Sequence, residues 1–252
     1  MKRIKLVVAY DGTAYAGWQL QPNQPTVEGK LNQALSELLG EEITVIGASR
    51  TDSGVHALGN VAVFDTKGPI PAEKICLAVN QRLPEDIRVQ TSVEVAPDFH
   101  PRRVASRKTY EYRIFNRRIL LPTKRLYVYH VYYPLNVSLM QEAGDLLVGE
   151  HDFKSFCSVK TQAENTIRTV YELKVVKEED IITISVTGSG FLYNMVRIIA
   201  GTLIEFGRGT ASSERMKEIL EGCERRLAGP TAPASGLTLM GIEYPQDSCI
   251  MG

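Results

Sequence analysis

The chain has 252 residues, 44% apolar and 23% charged, with 29 basic and 29 acidic side chains. That describes a soluble globular protein of one large or two ordinary domains, long enough to bury an ample core. No apolar run approaches the roughly 20 residues that span a bilayer, and the start "MKRIKLVVAYDG" lacks a signal-peptide core and cleavage site, so a cytoplasmic location with no membrane partner is expected.

In chain order, Ile4–Tyr10 alternates loosely and reads as a strand closed by the turn pair Asp11-Gly12. Thr26 precedes "VEGKLNQALSELLG", where Val27, Leu31, Ala34, Leu35, Leu38 and Leu39 recur at helical spacing and Gly40 suits the position just past a helix end. Ile43–Ala48 and Val61–Phe64 read as strands either side of a polar loop. "AEKICLAVNQRL" is a second helix ended by Pro84, and "IRVQTSVEV" another strand.

The second half repeats the plan. "TYEYRIFN" reads as a strand and "SLMQEAGDLLVGEHDF" as a helix. "TVYELKVVKEEDIITISVTG" reads as a hairpin turning at Glu178–Asp180. "FLYNMVRIIAGTLIEFG" is a helix with Phe191, Met195, Ile198 and Thr202 on one stripe, and "LTLMGIEY" is the closing strand. A short echo between "ALSELLGEEI" and "EAGDLLVGEHDF" supports duplication. The expected architecture is α+β: two similar halves, residues 1–104 and 105–252, forming a mostly antiparallel mixed sheet with helices on one face.

The four cysteines (76, 157, 223 and 249) are scattered singly, so a disulfide scaffold is not expected and a reducing compartment is. The histidines at 56, 100, 130 and 151 form no metal-binding pattern, and Gly29-Lys30 lacks the first glycine of a P-loop. No metal and no cofactor is expected. Charge is unevenly spread: from Arg102 to Arg125 nine cations face one acid, Glu111. Such asymmetry can give a neutral chain a nucleic-acid footprint, although a charge run alone is equally a solvated surface.

Several short stretches could carry chemistry. In "GASRTDSGVHALGN", Asp52 stands where a strand ends and a polar loop begins, with Arg50 two residues before it. The carboxylate could be a nucleophile, a base, a metal ligand or a turn former, and "TDSG" alone is ordinary turn chemistry. A turn does not need Arg50, whereas a carboxylate that must stay ionised in a pocket can use a nearby arginine. Gly188-Ser189-Gly190 before a helix could cradle a phosphate or merely turn the chain. Tyr110 and Tyr112 share one side of a strand among basic residues, a composition suited both to base stacking and to a half-buried sheet. Arg197, with Asn194 and Gly201, lies off the most apolar helix stripe, so it either reaches solvent or pairs with a buried acid.

The blocks "YDGTAYAGWQLQP", "SRTDSGVHA", "DFHPRR…YEYRIFN", "GFLYNMVR" and "TAPASGLTL" occur in this order over almost the whole chain. In these blocks the sequence resembles the TruA family of tRNA pseudouridine synthases. The resemblance implies isomerisation of uridine at positions 38, 39 and 40 of the tRNA anticodon stem-loop, without a cofactor, by a homodimer. It implies that Asp52 is catalytic, that Tyr110 packs on the target base, and that Arg197 pairs with the aspartate. Arg50 is expected to help hold the flipped-out nucleotide, and Leu237 and Leu239 to line the base pocket. Arg102, Arg107 and Lys108 are the expected RNA-binding cations. Ser53 and Pro101 stand where the family commonly has alanine, which bears on substrate preference more than on activity.

The chemistry agrees with this reading. The isomerisation is redox-neutral and needs no activated donor. Extruding a nucleotide costs a few kcal/mol, and stacking on an aromatic side chain returns about 1–3 kcal/mol per base. The rival reading is a tRNA-binding module or chaperone that has lost its catalytic activity; the intact set Asp52, Tyr110 and Arg197 argues against it. A third reading, an aspartate-nucleophile hydrolase, would need metal ligands the sequence does not offer.

Overall fold

The computed structural model describes residues 1–159 and 164–245; Cys249 lies outside the described residues. The chain divides into two compact units, one formed by Met1–Ser106 with the chain from Leu239 onward, the other by Arg107–Thr238. Both are α+β.

The first unit begins with β1 (Lys2–Tyr10), α1 (Val27–Leu39), β2 (Ile46–Gly47), β3 (His56–Thr66), α2 (Ala72–Val79) and β4 (Ile87–Val95). β1 pairs antiparallel with β3 on one side and with β4 on the other. Its alternation is the expected one: Ile4, Leu6, Val8 and Tyr10 are buried while the residues between them are partly exposed. Where Arg3 faces Asp65 across β1 and β3, the guanidinium donates Nε–H to Oδ1 at 2.8 Å and Nη2–H to Oδ2 at 2.6 Å. α1 starts and stops as its sequence dictates. Thr26 Oγ1 accepts the Gly29 N–H at 3.2 Å, and Gly40 ends the helix at φ 66°.

Two elements here are shorter than predicted. The strand expected over Ile43–Ala48 pairs with β3 only at Ile46 and Gly47. Upstream, the N–H groups of Ile43 and Val45 are taken by side chains of α1, Ser36 Oγ and Asn32 Oδ1, each at 2.9 Å. α2 ends at Val79 rather than running toward Pro84. At the helix end the Asn80 amide clasps Val89 of β4, donating to the carbonyl at 2.9 Å and accepting the N–H at 2.8 Å.

The second unit contains β5 (Arg107–Phe115), β6 (Tyr129–His130), α3 (Val137–Asp145), β7 (Gly149–Asp152), β8 (Ile167–Glu178), β9 (Ile181–Gly188), α4 (Met195–Gly207) and α5 (Ser213–Gly222). Its strands run in the order β5-β9-β8-β7, each antiparallel to the next, with β6 added parallel to β5. β8 and β9 form the hairpin read from the sequence, with Glu179 in the turn at φ 51°. The predicted helix "SLMQEAGDLLVGEHDF" stops at Asp145; Gly149, at φ 113°, begins β7 instead. α4 starts at Met195 rather than Phe191, because Asn194 takes a left-handed conformation at φ 62°. α5 escaped the sequence reading: half of its ten residues are charged, and Met216 and Ile219 are its buried anchors.

β10 (Leu237–Glu243) returns the chain to the first unit and lies beside β3, giving the order β4-β1-β3-β10. Gly59 permits the approach: a Cβ there would sit 2.9 Å from the Met240 carbonyl oxygen. Among the described residues no helix is long and apolar enough to cross a membrane.

Candidate active site

Asp52 sits in the loop between β2 and β3, half-buried, with Thr51 buried before it and Ser53 exposed after it. A second loop, Tyr15–Trp18, clamps this loop along its backbone. Trp18 N–H donates to Thr51 O at 3.0 Å, Gly54 N–H to Tyr15 O at 3.3 Å, and Ser53 Oγ–H to Tyr15 O at 3.2 Å. Within the loop, Val55 N–H closes onto Asp52 O at 3.1 Å, and Gly54 takes φ 77°. This is the turn that "TDSG" predicts, and the turn sets the carboxylate on a rigid support.

The glycines of "YDGTAYAGW" make the clamp possible. Gly17, at φ 98°, lies so close that a Cβ would be 2.6 Å from Thr51 O. Gly12 leaves no room for a Cβ against the Val55 carbonyl, nor does Gly47 against the Trp18 indole. Tyr15 is itself fixed, its hydroxyl donating to Asp86 Oδ1 at 2.6 Å. Burial, and then the Asp86 carboxylate, push the Tyr15 pKa well above its usual range, so it remains a donor. Beneath the loop, His56 is buried and its Nδ1 accepts the Gly12 N–H at 3.1 Å.

Arg50 is exposed, and it has company in the same unit. Burial, and then the Arg50 charge, lower the pKa of Arg102, with Glu28 acting the other way. His100 is lowered by burial and by Arg103 and Arg102. Exposed cations that repel one another favour an anionic ligand. Arg103 is exposed as well, while Pro101 is buried and its carbonyl accepts the Tyr244 hydroxyl at 2.8 Å.

In the second unit Tyr110 and Tyr112 share the buried side of β5. The ring of Tyr110 meets Phe191 edge-on, centroids 5.2 Å apart. Tyr112 donates its hydroxyl to Pro233 O at 2.8 Å, and burial raises its pKa, the nearby Arg197 guanidinium opposing. Arg197 is half-buried. Its Nε–H donates to Ala232 O at 2.7 Å, its Nη1–H to Asn194 Oδ1 at 2.9 Å, and its own carbonyl accepts the Ala232 N–H at 3.1 Å. The left-handed Asn194 is thus explained by the arginine it supports. Gly188-Ser189-Gly190 closes β9 and is separated from α4 by Phe191–Asn194, so it does not form a helix N-terminus.

Leu237 and Leu239 are both buried on one face of β10. Arg107 is exposed and lies over the Tyr171 ring, 4.7 Å from its centroid, while Lys108 pairs with Gly188 across β5 and β9. The expected site residues therefore fall into two sets: Arg50, Asp52, Arg102 and Leu239 in the first unit, and Arg107, Lys108, Tyr110, Arg197 and Leu237 in the second. Among the described residues no group of three or more His, Cys, Asp or Glu side chains could hold a metal ion. A carboxylate carried on a backbone turn held in this way can act as a nucleophile or a base.

Sequence reading missed the buried polar residues behind Asp52, namely Tyr10, Thr51 and Asn60. One signal was available: Asn60 is a polar residue inside the apolar run "ALGNVAVF".

A family model described as "tRNA pseudouridine synthase" matches residues 6–102 and 143–245 of this chain. The chain is 48% identical over 244 residues to the tRNA pseudouridine synthase A of Brevibacillus brevis, covering 97% of this chain and 100% of that protein. It has the same identity and coverage with the proteins of that name from Thermoanaerobacter sp. and Thermoanaerobacter pseudethanolicus.

Proposed function

The chain belongs to the tRNA pseudouridine synthase family and is an isomerase of uridine in tRNA; we propose that it acts at positions 38, 39 and 40 of the anticodon stem-loop, with Asp52 as the catalytic group and no cofactor. In the reaction the bond from N1 to the ribose breaks, the base turns and a bond from C5 to the ribose forms; the C5 proton leaves, N1 takes up a proton, and the electron count is unchanged. The observation that carries this reading is the clamped loop. Asp52 is the one carboxylate in "SRTDSGVHA", and its backbone neighbours are tied at Thr51, Ser53 and Gly54 to the Tyr15–Trp18 loop.

In this reading Asp52 does the chemistry, Tyr110 stacks on the base and Arg197 pairs with the carboxylate. Tyr110, backed edge-on by Phe191, offers a rigid ring for the extruded base. Arg197, oriented by Ala232 O and Asn194 Oδ1, is the cation that keeps the carboxylate ionised. Leu237 and Leu239 form the apolar wall, and Arg50, Arg102, Arg107 and Lys108 neutralise phosphates. The enzyme works as a homodimer in the cytoplasm.

The test is tritium release from tRNA labelled at uracil C5, with no added metal or cofactor, comparing wild type with Asp52→Asn. Release by wild type alone, with tRNA binding retained in the variant, is expected. No release by either, with tRNA still bound, would replace the isomerase with a binding module.

A further inference from the structure

Asn60 is fully buried at the middle of β3, opposite Val8 of β1. A primary amide is costly there unless both its ends are satisfied. Its orientation is fixed by its neighbours, since Oδ1 accepts the Val61 N–H at 2.9 Å and the NH2 group faces the Ser49 carbonyl oxygen at 3.0 Å. The second amide hydrogen goes to Tyr10 Oη at 3.3 Å, and Tyr10 Oη lies 2.7 Å from Thr51 Oγ1. Both are buried, and Thr51 immediately precedes Asp52.

Two links of this chain end on the segment that carries the aspartate. Asn60 holds Ser49 by its carbonyl, and Tyr10 holds Thr51 by its hydroxyl. Trp18 N–H holds Thr51 from the other side, through the carbonyl. Tyr10 comes just after the irregularity in the β1–β3 register, where Val8 faces Asn60 and Tyr10 faces Ala57, so the extra residue lies on β3 and Tyr10 keeps its place on the buried side of β1. Thr51 is thus held at its hydroxyl by Tyr10 of β1 and at its carbonyl by Trp18, immediately before Asp52.

We propose that the buried chain Asn60–Tyr10–Thr51 positions Asp52 for the isomerisation, making Tyr10, Thr51 and Asn60 positioning residues of the reaction. The proposal rests on Asp52 being the catalytic group. None of the three need touch the RNA. Their effect is on where the carboxylate stands, and a displacement of about 1 Å at a reacting group can cost about 100-fold in rate.

The experiment measures kcat and KM by C5-tritium release, tRNA Kd by filter binding, and the urea unfolding midpoint. The variants are Tyr10→Phe, Thr51→Val and Thr51→Ser, with wild type and Asp52→Asn as references. Tyr10→Phe removes one oxygen and keeps the ring that packs 5.9 Å from Trp18. A fall in kcat of about 10- to 100-fold is expected, with KM and Kd within about threefold of wild type. Thr51→Val should fall equally, Thr51→Ser should recover most of the loss, and Tyr10→Phe with Thr51→Val should be no worse than either alone. Wild-type kcat in Tyr10→Phe, or a raised KM at constant kcat, would overturn the proposal. So would a kcat loss that follows the urea midpoint across the series. If Tyr10→Phe does not fold, equal kcat in Thr51→Ser and Thr51→Val is the overturning result. An inactive wild type would instead sink the isomerase assignment, and activity in Asp52→Asn the catalytic role of Asp52; both are distinguishable from failure of the positioning chain.

Discussion

Gly17 lies against Thr51 so closely that a β-carbon on it would stand 2.6 Å from the Thr51 carbonyl oxygen. The neighbouring atoms are backbone, Asp52 C at 3.0 Å and Ser53 N at 3.1 Å, and they cannot rotate aside as a side chain would. Gly17 also holds φ 98°, a conformation that L side chains rarely adopt. Gly17→Ala should therefore push the aspartate loop outward, destabilising the protein by about 1–3 kcal/mol and lowering kcat. Gly40 is the control. It has φ 66° but nothing within 4 Å of a built Cβ, so Gly40→Ala should cost about 1 kcal/mol and leave kcat alone. Urea unfolding and tritium release on the two variants separate strain from loop displacement.

The pair Arg3–Asp65 carries an acid-dependent share of stability. The Arg3 hydrogen bond, more than its charge, holds the Asp65 pKa below the usual aspartate value, and burial opposes it. A depressed carboxylate contributes stability above its unfolded pKa, near 3.9, and loses it as pH falls through the lower folded value. Both side chains are partly exposed, at 17% and 33%, so screening limits the effect to about 0.5–1 kcal/mol. Asp65→Asn should be less stable than wild type by that amount at about pH 7, and the gap should close on going below about pH 3. A constant gap across the range would mean that the loss is packing rather than charge.

Arg102, Arg107 and Lys108 should contribute to tRNA binding through phosphates. Replacing each with Gln should weaken binding and reduce the slope of log K against log salt by about 0.7–0.9 for each phosphate left without its cation. Arg102 is the most informative of the three, because its pKa is lowered partly by Arg50 and an anion between them would relieve that repulsion. Weaker binding with an unchanged salt slope would mean that the residue does not neutralise a phosphate.

Features decided by near neighbours were legible in the sequence. α1 carries its own start at Thr26 and stop at Gly40, the β8–β9 hairpin turns at Glu179, and the turn after Asp52 is written in "TDSG". The boundaries that moved lie where side-chain hydrogen bonds gather at the end of an element, which a hydrophobic pattern does not show. Asn80 clasps Val89 at the end of α2, Ser36 and Asn32 take the N–H groups that would have extended β2, and Arg197 bonds the left-handed Asn194 that precedes α4. α5 shows only a short stripe, Met216, Ile219 and Leu220, among charged residues, and its inner face is identified by the burial of Met216 and Ile219.

The site divides in the same way. Sequence by itself determined which residue types are present and in what order, enough to name Asp52 and the family resemblance. It could not say what holds that aspartate still. Gly17 and Thr51 are 34 positions apart, Tyr10 and Thr51 are 41, and Asn60 reaches back to Tyr10 over 50. No local preference encodes such pairings. They exist because folding brings β1, β3 and the Trp18 loop together, where each buried polar group must find a partner and the available partners include Ser49 and Thr51, on the segment that leads to Asp52.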